Sequence, residues 1–144
     1  MNEHSFVKSI HRVLPSSVYR WKIHDTYTGG VPDALYAGPK GIVFVEYKWV
    51  KIPARPKTLV NFNLSKLQLN WLNLFHMYGQ SVIVAVGNDC GVLILSKGQW
   101  NKSFTAEEVE RESKPKKDFI NGLIGLTQDG IGYGNGGWGD APRR

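Results

Sequence analysis

The segment 42–50 constrains the fold most, because it is a run rich in β-branched and aromatic residues that follows a tight Gly-Pro-Lys-Gly turn at 38–41. Weaker strand patterns at 18–24 and 31–36 precede it and are separated by a Thr-Gly-Gly turn. Strands joined by turns this short pair with their chain neighbours in antiparallel fashion. We therefore predict an antiparallel meander over residues 18–50.

Hydrophobic periodicity predicts the elements that surround this meander. They are helices at 2–14, 64–78 and 105–113, and strands at 80–86 and 91–95. In the helix 64–78, the residues predicted to face the core are Leu64, Leu67, Trp71, Leu74, Phe75 and Tyr78. The chain of 144 residues is long enough for one domain. The order of elements predicts an α+β fold with a mixed central sheet.

Two charged residues continue an apolar face of the strongest strand. Side chains alternate between the faces of a strand, so Phe44, Glu46 and Lys48 share one side, whereas Tyr47 faces the other. Burying an unpaired charge is costly. Glu46 and Lys48 are therefore expected either to pair with each other near the strand end or to take part in a metal site.

The dipeptide Pro32-Asp33 at the start of the preceding strand favours the metal site. Antiparallel pairing can bring Asp33 beside Glu46, and two adjacent carboxylates repel each other unless a cation lies between them. Mg²⁺ prefers oxygen ligands, and the backbone carbonyl of Tyr47 could supply another one. Lys48 on the same face could hold or polarise a metal-bound water. This chemistry suits phosphodiester hydrolysis.

These residues resemble a known motif. Pro32-Asp33 followed by Glu46-Tyr47-Lys48 is similar to the motif of the PD-(D/E)XK nucleases. The frame Gly-Val-Pro-Asp at 30–33 and the helix Leu-Ser-Lys-Leu-Gln-Leu-Asn-Trp-Leu at 64–72 resemble the VRR-NUC and Holliday-junction-resolvase-like branch. The resemblance covers residues 3–87, and the small size is similar to phage-encoded members.

The resemblance implies a restriction-endonuclease-like αβββαβ core, dependence on Mg²⁺ or Mn²⁺, and cleavage of DNA. It also implies a homodimer, since relatives of the resolvase type make paired cuts. It assigns Asp33 and Glu46 to the metal and Lys48 to catalysis. Selectivity for branched or junction DNA is one expectation. A non-catalytic nucleic-acid-binding module on the same scaffold and an RNA-directed nuclease remain as alternatives.

Two further polar residues lie on predicted apolar helix faces. The resemblance places an acid from the first helix at the metal, which Glu3 could supply, but an acid in the first turn also favours the helix dipole. Gln68 could contact Lys48, the attacking water or a phosphate. Ser65 to Gln68 also matches a capping box, S-x-x-Q, which would give Gln68 a purely structural role. Both alternatives stay open for each residue, and Glu3 and Gln68 are kept as candidate catalytic residues.

The formal charge of +6 and the pI near 9.5 favour a polyanionic partner. Two basic segments are expected to contact phosphates and to make binding dependent on salt. Their residues are Lys51, Arg55 and Lys57 in a proline-containing loop, and Lys114, Lys116 and Lys117 in a second cluster.

Composition changes at residue 118, because half of the sixteen glycines follow it. We therefore predict a nuclease domain at 1–117 and a glycine-rich flexible tail at 118–144. The single cysteine, Cys90, excludes an intrachain disulfide and a cysteine zinc site. No signal peptide, membrane-spanning run or fingerprint for an organic cofactor is found in the sequence, so a cytoplasmic protein without membrane contacts or an organic cofactor is expected.

Overall fold

The computed structural model describes residues 1–128, which form one sheet with helices on both faces. None of the described helices is long and apolar enough to cross a bilayer. The helices are α1 (Glu3–Val13), α2 (Lys66–Met77), α3 (Ala106–Glu112) and α4 (Lys116–Thr127), with a 3₁₀ turn at Gln99–Asn101. The strands are β1 (Tyr19–Lys22), β2 (Ala34–Gly38), β3 (Gly41–Trp49), β4 (Val82–Asn88) and β5 (Gly91–Ser96).

The strands lie in the order β1-β2-β3-β4-β5 within one five-stranded sheet. The pairs β1–β2, β2–β3 and β4–β5 are antiparallel, whereas β3–β4 is parallel. A parallel pair needs a crossover connection, which here contains α2. The predicted meander, the mixed sheet and the α+β fold class are confirmed, and α1 to β4 follow the order αβββαβ.

One face of the sheet packs against α1 and α4, and we call this the α1/α4 core. Tyr47 of β3 lies at its centre, where its ring contacts the edge of Phe6 and of Phe119. Its fully buried members include Ile10, Tyr36, Val43, Val45, Ala85 and Leu123. The odd-numbered residues of β3 thus serve packing, as their alternation predicts.

The opposite face packs against α2 and the segment around α3, and we call this the α2 core. Its members include Leu72, Val84, Val86, Leu95, Trp100 and Val109. The predicted core face of α2 is only partly right: Leu67, Leu74 and Tyr78 are 58%, 39% and 61% exposed. Leu72 is the residue that α2 buries most fully, because the helix is rotated relative to the predicted stripe.

The flexible tail predicted from residue 118 is wrong for its first part. Residues 116–127 form α4, whose apolar residues Phe119 and Leu123 are both fully buried in the α1/α4 core. The backbone N–H of Lys40 donates to the Thr127 carbonyl (2.9 Å), and the Lys40 Nζ donates to the Gly125 carbonyl (2.9 Å). The folded unit therefore extends past the predicted boundary at 117. Residues 129–144, the rest of the predicted tail, lie outside the described residues.

Candidate active site on the central strand

Glu46 lies in the middle of the sheet and is 2% exposed. It sits on β3, in register with Val84 of β4, and its side chain emerges on the same face as Lys48. The Nζ of Lys48 lies 3.7 Å from the Oε2 of Glu46. This is the predicted pairing of the two charged residues, and it occurs at a site that is almost closed to water.

Asp33 reaches this site from the residue immediately before β2. Ala34 is paired with Val45, so Asp33 stands next to the position of Glu46 across the strand pair. The backbone N–H of Tyr47 donates to the Oδ2 of Asp33 (2.9 Å), and the N–H of Ile23 donates to the Asp33 carbonyl (2.8 Å). Asp33 is therefore fixed from both of its neighbouring strands, at the place that the sequence predicts.

Gly30 allows the segment that carries Asp33 to approach α2 closely. Its φ is +86°, in the left-handed region that favours glycine. A Cβ at this position would lie 2.3 Å from the backbone carbonyl oxygen of Leu67 in the first turn of α2. Any other residue type would push the loop and the helix apart. Close packing against α2 therefore explains the glycine before Val-Pro-Asp.

Gln68 belongs to both the helix cap and the site. Its Oε1 accepts from the N–H of Ser65 (2.9 Å), and its own N–H donates to the Ser65 hydroxyl (3.1 Å), which completes the capping box. Its Nε2 donates to the Oε2 of Glu46 (2.9 Å). One end of the amide thus holds the cap, and the other contacts the Glu46 carboxyl group, whereas the protein contact predicted for it is with Lys48.

The site strongly disfavours negative charge on Glu46 in the metal-free protein. Burial, followed by the nearby charge of Asp33, raises the pKa of Glu46 from 4.5 to about 8, and the Lys48 ammonium offsets only part of this. Burial also raises the pKa of Asp33, although the hydrogen bond from the Tyr47 N–H and the charge of Lys48 lower it in part. Within residues 1–128, the buried Oε1 of Glu46 has no hydrogen-bond partner. An oxygen in that state is a strong candidate ligand for a cation.

The fit to a divalent metal rests on two carboxylates. Among the described side chains, no group of three or more His, Cys, Asp and Glu residues is arranged to hold a metal ion. Glu3 is exposed at the start of α1. Partial burial, followed by the nearby charge of Asp33, raises the pKa of the Glu3 carboxyl group. Mg²⁺ commonly uses one or two carboxylates and retains several waters. Asp33 and Glu46 fit that mode of binding, and Glu3 lies at its margin.

The two basic segments lie in different parts of the fold. Lys51 and Arg55 are exposed in the loop that follows β3. Lys57 is also exposed, but its Nζ lies 3.0 Å from Glu107 of α3, so part of its charge is already balanced. The exposed residues of the second cluster lie beside the carboxyl end of β4, where the backbone of residue 114 pairs with β5; they are Lys114, Lys116 and Lys117.

Lys22 of β1 is a site neighbour that sequence reasoning missed. It is in register with Ala34, and its positive charge lowers the pKa of Asp33. The strand pattern at 18–24 is weak and carries no motif, so only the strand register reveals this proximity.

Comparison with known proteins finds a remote structural likeness. No family model matches the chain, and no curated protein matches it significantly. The structure is similar to that of Hjc, a Holliday junction resolvase from the archaeal hyperthermophile Archaeoglobus fulgidus, with a TM-score of 0.41 and 12% identity. The likeness covers 74% of this chain and 98% of that chain. It assigns no activity to this chain.

Proposed function

We propose that this chain is a metal-dependent nuclease that hydrolyses phosphodiester bonds in DNA. The observation that carries the proposal is the buried Glu46 carboxyl group beside Asp33, with Lys48 on the same strand face. A structural ion pair would need only Glu46 and Lys48. The second carboxylate adds a repulsion that raises the pKa of Glu46, and such a repulsion is relieved by a bound cation.

The residues that would hold the metal are Asp33 and Glu46, with the Tyr47 carbonyl as a further ligand and Glu3 as an outer candidate. The donor set consists of hard oxygens, which suits Mg²⁺ or Mn²⁺. When bound, such an ion neutralises the scissile phosphate and lowers the pKa of a coordinated water. The protein supplies the position of both carboxylates through the Tyr47 N–H and the Gln68 amide.

Lys48 has a separate role in the proposed reaction. Its Nζ already lies at the edge of the carboxyl pair, 3.7 Å from Glu46, and its side chain is 12% exposed. An ammonium at this place can contact an oxygen of the phosphate and stabilise the negative charge that develops during attack. Gln68 orients Glu46 through its Nε2 and is therefore a positioning residue.

DNA is the proposed substrate because the PD-(D/E)XK motif resembles that of DNA nucleases. Branched or junction DNA is the proposed target, in line with the named activity of the archaeal protein. The exposed Lys51, Arg55 and Lys57 and the cluster Lys114, Lys116 and Lys117 are proposed to contact phosphates. A homodimer would place two sites on one junction. The rival functions are a non-catalytic nucleic-acid-binding module and an RNA-directed nuclease.

The test combines calorimetric titration with Mn²⁺ and cleavage assays on branched DNA, linear DNA and RNA. Asp33→Asn and Glu46→Gln should weaken metal binding and abolish cleavage. Lys48→Ala should abolish cleavage while metal binding stays equal or becomes stronger, because a cation has been removed from the site. Glu110→Gln, an exposed change on α3, is the matched control. A wild-type protein that neither binds Mn²⁺ nor cuts any substrate, yet binds DNA, would establish the binding-module rival.

A further inference from the structure

A cleft of about 480 Å³ opens beside the carboxyl pair on the α2 side of the sheet. We call it the β1 cleft. Its walls are formed by Trp21, Lys22, Ile23, His24, Val31 and Phe44. The volume lies within the range of small-molecule and base-sized binding sites. The activity proposed above assigns no role to the side chains of these six residues.

The β1 cleft has an apolar floor and an exposed aromatic wall. Trp21 of β1 is in register with Leu35, and Leu35 is in register with Phe44 of β3, so the three side chains form a row across one sheet face. Phe44 is half-buried because Trp71 packs against it at a ring distance of 5.2 Å. Trp21, in contrast, is 51% exposed. An exposed tryptophan on such a face offers a free ring surface for stacking.

The rim of the β1 cleft includes Lys22, His24 and Asp25. Lys22 is in register with Ala34 of the α1/α4 core, so its side chain leaves β1 on the face opposite that of Trp21. The Oδ1 of Asp25 accepts from the backbone N–H groups of Tyr27 (2.8 Å) and Thr28 (3.2 Å). The carboxylate of Asp25 is thereby held within its own turn.

The β1 cleft and the carboxyl pair are joined through the backbone. Ile23 donates to the Asp33 carbonyl, and Val31 precedes Asp33 by two residues. Phe44 precedes Glu46 by two residues on the same strand face, which places them about 7 Å apart. A nucleotide strand with a phosphate at Asp33 and Glu46 can therefore place an adjacent base in the cleft.

We propose that the β1 cleft binds one unpaired base of a nucleic acid strand, with Trp21 stacking on the base. A base within a duplex has both faces covered by its neighbours, so only an unpaired or extruded base can stack on this ring. The inference rests on the proposed nuclease function. It makes the preferred substrate a single strand, or a duplex with an unpaired segment, rather than a continuous duplex.

The experiment measures binding without cleavage, in EDTA at fixed salt, by fluorescence anisotropy. The probes are a labelled single-stranded oligonucleotide and the fully paired duplex of the same sequence. The variants are Trp21→Leu, which keeps apolar volume without a ring, and Trp21→Phe, which restores one. The matched control is Tyr19→Ala, because Tyr19 lies on the same strand face and is 60% exposed, but lies two residues farther from Asp33.

Trp21→Leu should weaken single-strand binding at least about fivefold, as expected for loss of one base–aromatic stack. Trp21→Phe should recover most of the affinity, and Tyr19→Ala should leave it within about twofold of wild type. The duplex affinity should change less than about twofold in every variant, since phosphate contacts dominate it. Equal effects on single strand and duplex, or no effect of Trp21→Leu on the single strand, would overturn the inference.

Cleavage measured separately in Mn²⁺ distinguishes this inference from the proposed function. A wild type that cuts duplex DNA while Trp21→Leu leaves single-strand affinity unchanged refutes the base site and leaves the nuclease intact. A wild type that cuts nothing while Trp21→Leu selectively loses the single strand supports the base site and refutes the nuclease.

Discussion

Glu46→Gln tests the electrostatics of the site through protein stability, without reference to activity. Because the pKa of Glu46 rises from 4.5 to about 8 on folding, the folded protein keeps a proton that the unfolded chain has lost between these values. Stability from this group is therefore fully present below pH 4.5 and is lost as the pH rises through about 8. Between these two pKa values the free energy of unfolding falls by about 1.4 kcal/mol per pH unit, or by roughly 5 kcal/mol in all.

The side chain introduced by Glu46→Gln cannot ionise, so the stability of this variant should lack this dependence on pH. Its new amide N–H₂ would lie beside the Asp33 side chain, which hydrogen-bonds Glu46 and can accept from the amide. The substitution should therefore cost little at low pH, where the Glu46 side chain of the wild type is also neutral. The two proteins should thus have similar stability at pH 5, and Glu46→Gln should be the more stable one at pH 9. A stability difference that grows as the pH rises is the specific expectation.

Urea unfolding in EDTA at pH 5, 6, 7, 8 and 9 measures both curves. Asp33 and Glu46 titrate as a coupled pair, so the difference between the two proteins includes the effect of Glu46 on Asp33. Glu110→Gln, an exposed substitution on α3, should run parallel to wild type. If the difference between wild type and Glu46→Gln stays constant within about 0.5 kcal/mol over this range, the reasoning about Glu46 fails.

In the same experiment, the stabilisation by Mn²⁺ should change with pH in the direction opposite to the stability of the metal-free wild type. Binding requires the ionised carboxylate, so Mn²⁺ should stabilise the wild type more at pH 8 than at pH 6. Glu46→Gln should gain little at either pH. A gain that is equal in the two proteins would mean that the metal binds elsewhere.

The remaining predictions concern other parts of the fold. Gln68→Glu should retain the cap but place a carboxylate against Glu46, so cleavage falls and urea stability decreases above neutral pH. Arg55→Ala should lower the slope of log binding constant against log salt by about one, as measured by anisotropy. Lys57→Ala should lower it less, because α3 already pairs that charge. Leu123→Ala should cost about 2–5 kcal/mol in urea unfolding, whereas an unchanged stability would show that α4 is dispensable.

The central strand was predictable because its pattern depends on local alternation alone. Glu46 and Lys48 follow an apolar residue with period two, and the short turn before them determines which strand they pair with. Asp33 could be placed for the same reason. Gln68 could not be decided from the sequence, since both alternatives predicted the same residue type, and only the three-dimensional structure shows that the two amide ends act separately.

The helix α4 and the rotation of α2 were missed for different reasons. Of the eight glycines after Asp118, six lie at 130–139, and their number obscured the helical spacing of Phe119 and Leu123. In α2, apolar residues occur almost all around the helix, so periodicity does not select one face. The proximity of Lys22 to Asp33 depends on the register of β1 against β2. A loop joins these two strands, and no local pattern encodes their register.

The burial of Tyr47 beneath α4 has a consequence for biosynthesis. The strand that carries Glu46 and Lys48 packs against a helix that lies more than sixty residues later in the chain. The face of that strand that carries Tyr47 therefore lacks this cover in the nascent chain until α4 is translated. At about 5–20 residues per second, synthesis of the 144 residues takes roughly 7–30 s. During most of this time the carboxyl pair lacks its supporting layer. The site therefore gains this layer only after residues 116–127 have emerged from the ribosome.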